Sequence, residues 1–261
     1  MSDSLRIIIF GSAAGFPTKE RTNTAIGIWR EHELHLIDAG EPVAAHLARR
    51  GVPPDHLRSV FITHMHADHS SGLPMLLQWL QLNQRGRPLS LYLPGVSAGA
   101  FQAVLELHYL FLETLGFELN IHSLKAGQVY EEGGMSLMAL ESRHLDGQAD
   151  RLERAGKQPK GHSFSFVITA DGKRLFISGD LSQPDEVIIP AAGADLAIVE
   201  LAHFSPEALG EALSRVEVPR LVVTHLIHSL EAEAESIPAR IKAGGYGGEI
   251  HVAQDGDEIE L

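Results

Sequence analysis

Short apolar runs alternate along the chain with amphipathic stretches, and most of the runs end at glycine or polar residues. Such runs are typical of β-strands, and they predict strands at residues 6–10, 24–29, 34–37, 59–62, 89–93, 136–140, 163–168, 174–177, 196–199 and 221–223. Between them, apolar residues recur at helical spacing, which predicts helices at 42–50, 72–82, 98–115, 205–216 and 231–243. Because strands outnumber helices, we expect a layered α/β architecture of two sheets with outer helices.

Two segments depart from this alternation. Residues 146–161 are polar, and they carry four basic residues, Arg151, Arg154, Lys157 and Lys160, which predicts a solvated loop. Residues 101–117 would be apolar on nearly every side of a helix. We expect this second stretch to lie in the core, to line a substrate pocket, or to form the interface of a homodimer.

Composition narrows the classes of function. The 261 residues include 21 Lys+Arg and 34 Asp+Glu, a net charge of −13, which disfavours non-specific nucleic-acid binding because phosphate contacts need cations. The absence of Cys excludes disulfides, thiolate nucleophiles and Cys-ligated metals, so any metal must be held by Asp, Glu or the 15 His. We find no linker, membrane span or signal-peptide core in the sequence. These features predict a single domain over residues 1–261, no membrane partner and a cytoplasmic location.

The strongest chemical signal directly follows the predicted strand at 59–62. Four residues of metal-ligand type, His64, His66, Asp68 and His69, lie within a stretch of six. In a tight turn at a strand end, the first two side chains point one way, and the other two reach a second point nearby. Four ligands in this geometry are too few for two ions, so further ligands must come from elsewhere in the chain.

Three other polar residues follow apolar strands, where rigid elements can preorganise a site: His144, Asp180 and His225. We therefore predict one ion held by His64, His66 and His144, a second held by Asp68, His69 and His225, and Asp180 as a bridge between them. Imidazoles with a bridging carboxylate suit two Zn²⁺ ions, with Mn²⁺ or Fe²⁺ as substitutes. His228 is an alternative to His225, but only His225 directly ends its strand. Asp38, at another strand end, is expected to accept the free N–H of a metal histidine or simply to form a turn.

The His-x-His-x-Asp-His turn, with residues 11–17, 38–40 and the three later ligands, resembles the metallo-β-lactamase superfamily over nearly the whole chain. The resemblance implies an α/β fold, an αββα four-layer sandwich of two mixed β-sheets flanked by helices, and a dinuclear metal-dependent hydrolase. Within the superfamily, GSAAGFPTKER at 11–21 and ELAHFS at 200–205 are similar to the ribonuclease Z branch. This similarity implies that His203 is an additional catalytic histidine, and Glu200 is placed to orient its ring.

One departure from that branch bears on the substrate. Bacterial-type ribonuclease Z carries a long tRNA-gripping arm between the third metal histidine and the bridging aspartate, whereas His144 and Asp180 are only 36 positions apart here. Together with the negative charge, this argues against tRNA. We expect a phosphodiester substrate, either a small molecule or a short nucleic acid, with Asp68 helping to take the proton of the attacking water. The alternatives are hydrolysis of a carboxylic ester, lactone or lactam, and a non-catalytic domain with a structural metal.

Overall fold

Strands and helices alternate along residues 5–95, 97–157 and 161–261, the part of the chain that the computed structural model describes. The strands are β1 (Arg6–Gly11), β2 (Ala25–Arg30), β3 (Glu33–Ile37), β4 (Leu57–Phe61), β5 (Leu89–Pro94), β6 (Leu119–Leu124), β7 (Val129–Glu132), β8 (Met135–Ser142), β9 (Ser163–Ala170), β10 (Lys173–Ile177), β11 (Leu196–Leu201), β12 (Arg220–Leu226), β13 (Glu249–Val252) and β14 (Glu258–Glu260). The α-helices are α1 (Val43–Arg49), α2 (Ala67–Ser70), α3 (Leu73–Leu82), α4 (Ser97–Leu107), α5 (Asp146–Arg154), α6 (Ile188–Ala191), α7 (Pro206–Leu213), α8 (His228–Glu231) and α9 (Ile237–Ala243). The predicted fold class, two mixed sheets flanked by helices, is confirmed.

The first of two compact units comprises Met1–Lys125 and Asp255–Glu260. Its described strands form a seven-stranded sheet in the order β14-β1-β2-β3-β4-β5-β6. The pairs from β14 to β3 are antiparallel, and those from β3 to β6 are parallel. Helices α1, α3 and α4 cover one face of this sheet, where Val43, Leu76 and Leu105 join the strand residues Leu36 and Leu91 in one buried cluster.

The second unit comprises Ala126–Gln254 and Leu261. Its sheet has the order β13-β12-β11-β10-β9-β8-β7 in the described residues, with parallel pairs from β13 to β10 and antiparallel pairs beyond. Leu209 and Leu213 of α7 and Ile241 of α9 are buried against Val199 and Val223 of the central strands. The prediction of a single domain over residues 1–261 stays a prediction.

All ten predicted strands are present, but two helix predictions and one loop prediction were wrong. Helix α4 ends at Leu107 rather than 115, because Tyr109 adopts a left-handed φ of 59° and the N–H groups of Tyr109 and Leu110 bond back to Glu106 and Leu105, a Schellman ending. The predicted helix at 231–243 is divided, and only α9 is a continuous helix there.

The third correction concerns residues 146–161, which were predicted to be a loop. Residues 146–154 of this segment form helix α5, whose residues include none that is buried. Asp146 lies in its first turn and Arg151 and Arg154 lie in its last, so its charges complement the helix dipole. The prediction for Lys160 lies outside the described residues.

The apolar stretch at 101–117 divides its side chains between the core and the surface. Phe101, Leu105 and Phe117 are buried, whereas Leu107 and Tyr109 are largely exposed. Core packing is therefore one role of the stretch, and a homodimer interface stays a prediction. Separately, none of the helices in the described residues is long and apolar enough to cross a membrane.

Candidate metal centre

In the first unit, the ligand turn begins where β4 ends. Thr63 and His64 are fully buried after this strand, and the short helix α2 then carries Asp68 and His69. The Nε2 atom of His64 lies 2.8 Å from Nδ1 of His66, and their rings meet edge to face at 4.5 Å. At this distance one of the two nitrogens donates a hydrogen bond to the other. The approach also brings the two imidazoles together as two ligands that converge on one point would be.

Asp38 is the buried anchor of this turn. Its Oδ1 accepts the backbone N–H of Thr63 at 2.7 Å, and its Oδ2 lies 2.7 Å from Nδ1 of His69. The Thr63 hydroxyl lies within 3.0 Å of both oxygens. Since a carboxylate only accepts, Nδ1 of His69 carries the proton and its Nε2 keeps a lone pair. The contact expected for Asp38 is present, and its role beside a metal stays a prediction.

Asp68 is held by the backbone of a different loop, the one that follows β1. The backbone N–H of Gly15, in the loop after β1, donates to Oδ2 of Asp68 at 2.7 Å. The same oxygen lies 3.5 Å from Nε2 of His69. The loop therefore fixes the direction of a carboxylate that is a predicted ligand.

In the second unit, Asp180 occupies the centre of the site residues. Its Oδ2 lies 3.6 Å from Nε2 of His144, and its Oδ1 lies 3.3 Å from Nε2 of His225. The backbone carbonyl of Asp180 accepts the hydroxyl of Ser142 at 2.9 Å, which ties the end of β10 to the end of β8. One buried carboxylate thus presents one oxygen to each of two imidazoles.

His225 is positioned by an irregularity in β12. Glu200 pairs with Thr224 and Leu201 with Leu226, so His225 is an extra residue in the pairing, and its φ is 52°. A β-bulge re-aims the side chain at that position. His228 is 74% exposed and lies beside Glu231, so the structure places His225, not His228, at Asp180.

His203 also lies at this end of the second sheet. Its Nδ1 is 2.9 Å from Oε1 of buried Glu200, and its ring lies 4.7 Å from that of His144 and 6.5 Å from that of His225. Glu200 also accepts the backbone N–H groups of Leu181, Ala202 and His203. This carboxylate is therefore an acceptor, and Nδ1 of His203 carries the proton. The predicted Glu200–His203 contact is present, while the catalytic role of His203 stays a prediction.

These donors fit a divalent metal site chemically. The candidate ligands are His64, His66, Asp68 and His69 in the first unit, and His144, Asp180 and His225 in the second. Imidazole nitrogens and carboxylate oxygens without thiolates suit Zn²⁺, Mn²⁺ or Fe²⁺. All of these side chains are buried or half-buried, where charged carboxylates need partners.

Two contributors to the site were missed by sequence reasoning. Thr63 links Asp38 to the ligand turn, and the backbone amide of Gly15 contacts Asp68. The position of Thr63 within the motif could have indicated a role for its hydroxyl. The identity of a residue does not determine where its backbone N–H points, so the role of Gly15 could be seen only in the structure.

Comparisons with known proteins agree with this geometry. Residues 35–226 match the model of the beta-lactamase superfamily domain. A ribonuclease Z from Methanosarcina acetivorans is 35% identical over 304 aligned positions, which cover 98% of each chain. The metallo-beta-lactamase fold protein YhfI from Bacillus subtilis superposes with a TM-score of 0.77 at 20% identity, covering 99% of this chain and all of that one. Human short-form tRNase Z gives 0.73 at 22% identity, covering 97% and 98%. The resemblance inferred from the motifs is thereby confirmed, and the chain belongs to the beta-lactamase superfamily, in its ribonuclease Z-like branch of metal-dependent hydrolases.

Proposed function

We propose that the chain hydrolyses phosphodiester bonds with two divalent metal ions held by the seven predicted ligands. The first ion would take His64, His66 and His144, the second would take Asp68, His69 and His225, and Asp180 would bridge them. Zn²⁺ is the preferred ion because of the imidazole-rich donor set. A cytoplasmic location remains part of this proposal.

The observation that carries the proposal is the position of Asp180. Its two oxygens lie 3.3 Å from His225 and 3.6 Å from His144. A structural site for a single ion needs only four ligands, fewer than the seven predicted here. Such a site also has no need of a carboxylate that lies between two histidines. This arrangement supports two ions side by side, as in two-metal hydrolytic sites.

The chain's own residues supply the remaining chemistry. When bound, two divalent ions stabilise developing negative charge and make a water nucleophile available near neutral pH. Asp68, held by the Gly15 amide, is placed to accept a proton from the attacking water. Nδ1 of His203 donates to Glu200, and in the imidazolium form of this ring Nε2 would also carry a proton, which it would give to the leaving oxygen or use to stabilise its charge.

The substrate is proposed to be smaller than tRNA. The alignment with the Methanosarcina enzyme runs over 304 positions, at least 43 more than the 261 residues of this chain, so that relative carries residues with no counterpart here. A net charge of −13 gives little general attraction for a large polyanion. Both observations favour a small phosphodiester or a short nucleic acid.

A substrate panel combined with elemental analysis tests the proposal. We expect close to two ions per chain, and turnover of p-nitrophenyl phosphodiesters in preference to nitrophenyl acetate, a lactone and a lactam. Asp180→Ala should reduce turnover to background and lower the metal content. The matched control is His228→Ala, which removes an exposed histidine from the same region and should leave both unchanged.

Three results would contradict the proposal. Full activity of Asp180→Ala would show that the bridge is misplaced. A reproducible single ion would refute the dinuclear site. Turnover confined to the carboxylic ester, lactone or lactam would assign the enzyme to that alternative class.

A further inference from the structure

The loop formed by residues 12–22 carries an exposed aromatic ring beside the metal-ligand turn. Gly15 donates its N–H to Oδ2 of Asp68 at 2.7 Å, and the next residue, Phe16, is 60% exposed. One residue of backbone and one side chain place the phenyl ring on the order of 10 Å from this carboxylate. The ring is therefore within the reach of a group attached to a substrate that reacts there.

The base of the 12–22 loop is held by a polar network that includes a buried arginine. Arg21 donates to the hydroxyl of Ser12 at 2.6 Å, and that hydroxyl donates to Oδ1 of Asp255 at 2.7 Å. The N–H and hydroxyl of Thr22 both donate to Oδ2 of Asp255 at 2.6 Å. Ala13 also donates its N–H to the carbonyl of Thr22 at 2.8 Å. Charge-assisted bonds of this kind fix the two ends of the loop relative to each other.

The backbone at the tip of the loop is also constrained. Gly15 has a φ of 73°, a conformation that glycine adopts without strain. Phe16 donates its N–H to the carbonyl of Ala14 at 2.8 Å, and the following Pro17 restricts Phe16 to extended backbone. The backbone that carries the phenyl ring is thus constrained, which lowers the entropy cost of binding against the ring.

Position distinguishes Phe16 from other exposed apolar residues. Single apolar side chains on a surface are common and need no explanation, and exposed Leu107 and Ile189 are examples. Phe16, in contrast, adjoins a residue whose backbone contacts a predicted ligand. A flat apolar ring at such a place is suited to stack on an aromatic ring of the substrate. Nucleobases are suitable partners, since every base can stack on an aromatic side chain.

We propose that Phe16 stacks on the nucleobase of a nucleotide phosphodiester whose scissile phosphate lies at the metal centre. This inference rests on the proposed function and specifies its substrate class. The expected contribution of one stacked base corresponds to about 5- to 150-fold in affinity or in kcat/KM.

Two substrates with the same leaving group isolate this contact. Thymidine 5′-p-nitrophenyl phosphate carries a base, whereas methyl p-nitrophenyl phosphate does not. Phe16→Ala should lower kcat/KM for the thymidine ester by about 5- to 150-fold and change the value for the methyl ester by less than about twofold. Phe16→Trp should keep kcat/KM for the thymidine ester close to the wild-type value. Phe111→Ala removes another partly exposed Phe and should change neither substrate.

Calorimetric binding of thymidine 5′-monophosphate to the metal-loaded protein gives a readout that needs no turnover. Phe16→Ala should weaken this binding by about fivefold or more. Equal losses on both diesters would make Phe16 merely structural, and unchanged binding and kinetics would remove it from the site; either result overturns the inference. If the wild type hydrolyses no phosphodiester, the proposed function fails, and the binding comparison still decides the role of Phe16.

Discussion

Exchange of Asp38 for Asn tests whether this buried carboxylate prepares His69 for a metal. Asn has nearly the shape of Asp and tolerates the left-handed backbone that Asp38 adopts at φ 61°. Its amide oxygen has to stay against the backbone N–H of Thr63, now 2.7 Å from Oδ1, because a buried N–H needs an acceptor. The amide NH₂ then faces Nδ1 of His69, which must become an acceptor. The proton of His69 moves to Nε2, the nitrogen that a metal would need.

The size of the effect follows from the bond that is reversed. The contact between His69 Nδ1 and Asp38 Oδ2, at 2.7 Å, is charge-assisted, and such bonds contribute about 1.5–3 kcal/mol. Loss of a carboxylate partner behind a metal histidine typically costs about 10- to 100-fold in metal affinity, which is about 1.4–2.7 kcal/mol. The two estimates agree. We therefore expect Asp38→Asn to bind zinc about 10- to 100-fold more weakly.

Competition with a chromogenic chelator measures the zinc affinity, and nitrogen chemical shifts of the His69 ring report its tautomer. Asp195→Asn is the control, because Asp195 also accepts a backbone N–H, that of Arg174 at 2.8 Å, at the start of β10. We expect the control to keep the wild-type affinity. Wild-type affinity in Asp38→Asn, with the proton of His69 still on Nδ1, would refute the reasoning.

The strands that sequence reasoning missed have a common position. In the described residues, β6, β7, β13 and β14 are the outer strands of the two sheets, and none of them was predicted. An edge strand pairs on one side only and exposes much of its surface, so it needs no apolar run. Inner strands such as β1, β3 and β11 are buried at nearly every position and read as nearly continuous apolar runs, which made the ten inner strands easier to predict.

Helix boundaries were harder to predict for a related reason. The apolar pattern at 98–115 continues past the end of α4, because Leu110 and Leu115 are buried from irregular backbone. Their hydrophobicity reports burial and not helical conformation. Helix α5 shows the opposite case, since it has no buried residue and therefore no apolar periodicity to detect.

The sequence predicted the candidate ligands but not the backbone features that position them. Ligand spacing after β4 led to His64, His66, Asp68 and His69, and strand-end positions led to Asp180 and His225; the structure places the first set together in one unit and the second set together in the other, while their role as ligands stays a prediction. Spacing could not predict the bulge that aims His225, because a bulge depends on the pairing of two strands. Nor could it predict the Gly15 amide, because backbone direction depends on the fold of the loop.

Two further predictions concern the packing of α7 against α9. Hydrogen bonds from Arg240 lower the pKa of Glu207 to about 2, so the stability that Glu207 contributes should be present above about pH 4.5 and lost as the pH falls towards 2. Urea unfolding should show a stability difference between wild type and Glu207→Gln at pH 7 that closes near pH 2, and a constant difference would contradict the assignment. A Cβ at Gly210 would lie 2.0 Å from the carbonyl oxygen of Ile241, so the two helices can approach only with glycine there. Gly210→Ala should therefore lower the free energy of unfolding by about 1–3 kcal/mol, the usual range for overpacking. The control is Gly247→Ala, where a Cβ meets nothing within 4 Å, and its free energy of unfolding should stay within about 0.5 kcal/mol of the wild-type value. If Gly210→Ala is as stable as this control, the two helices can move apart without cost, which would contradict the prediction.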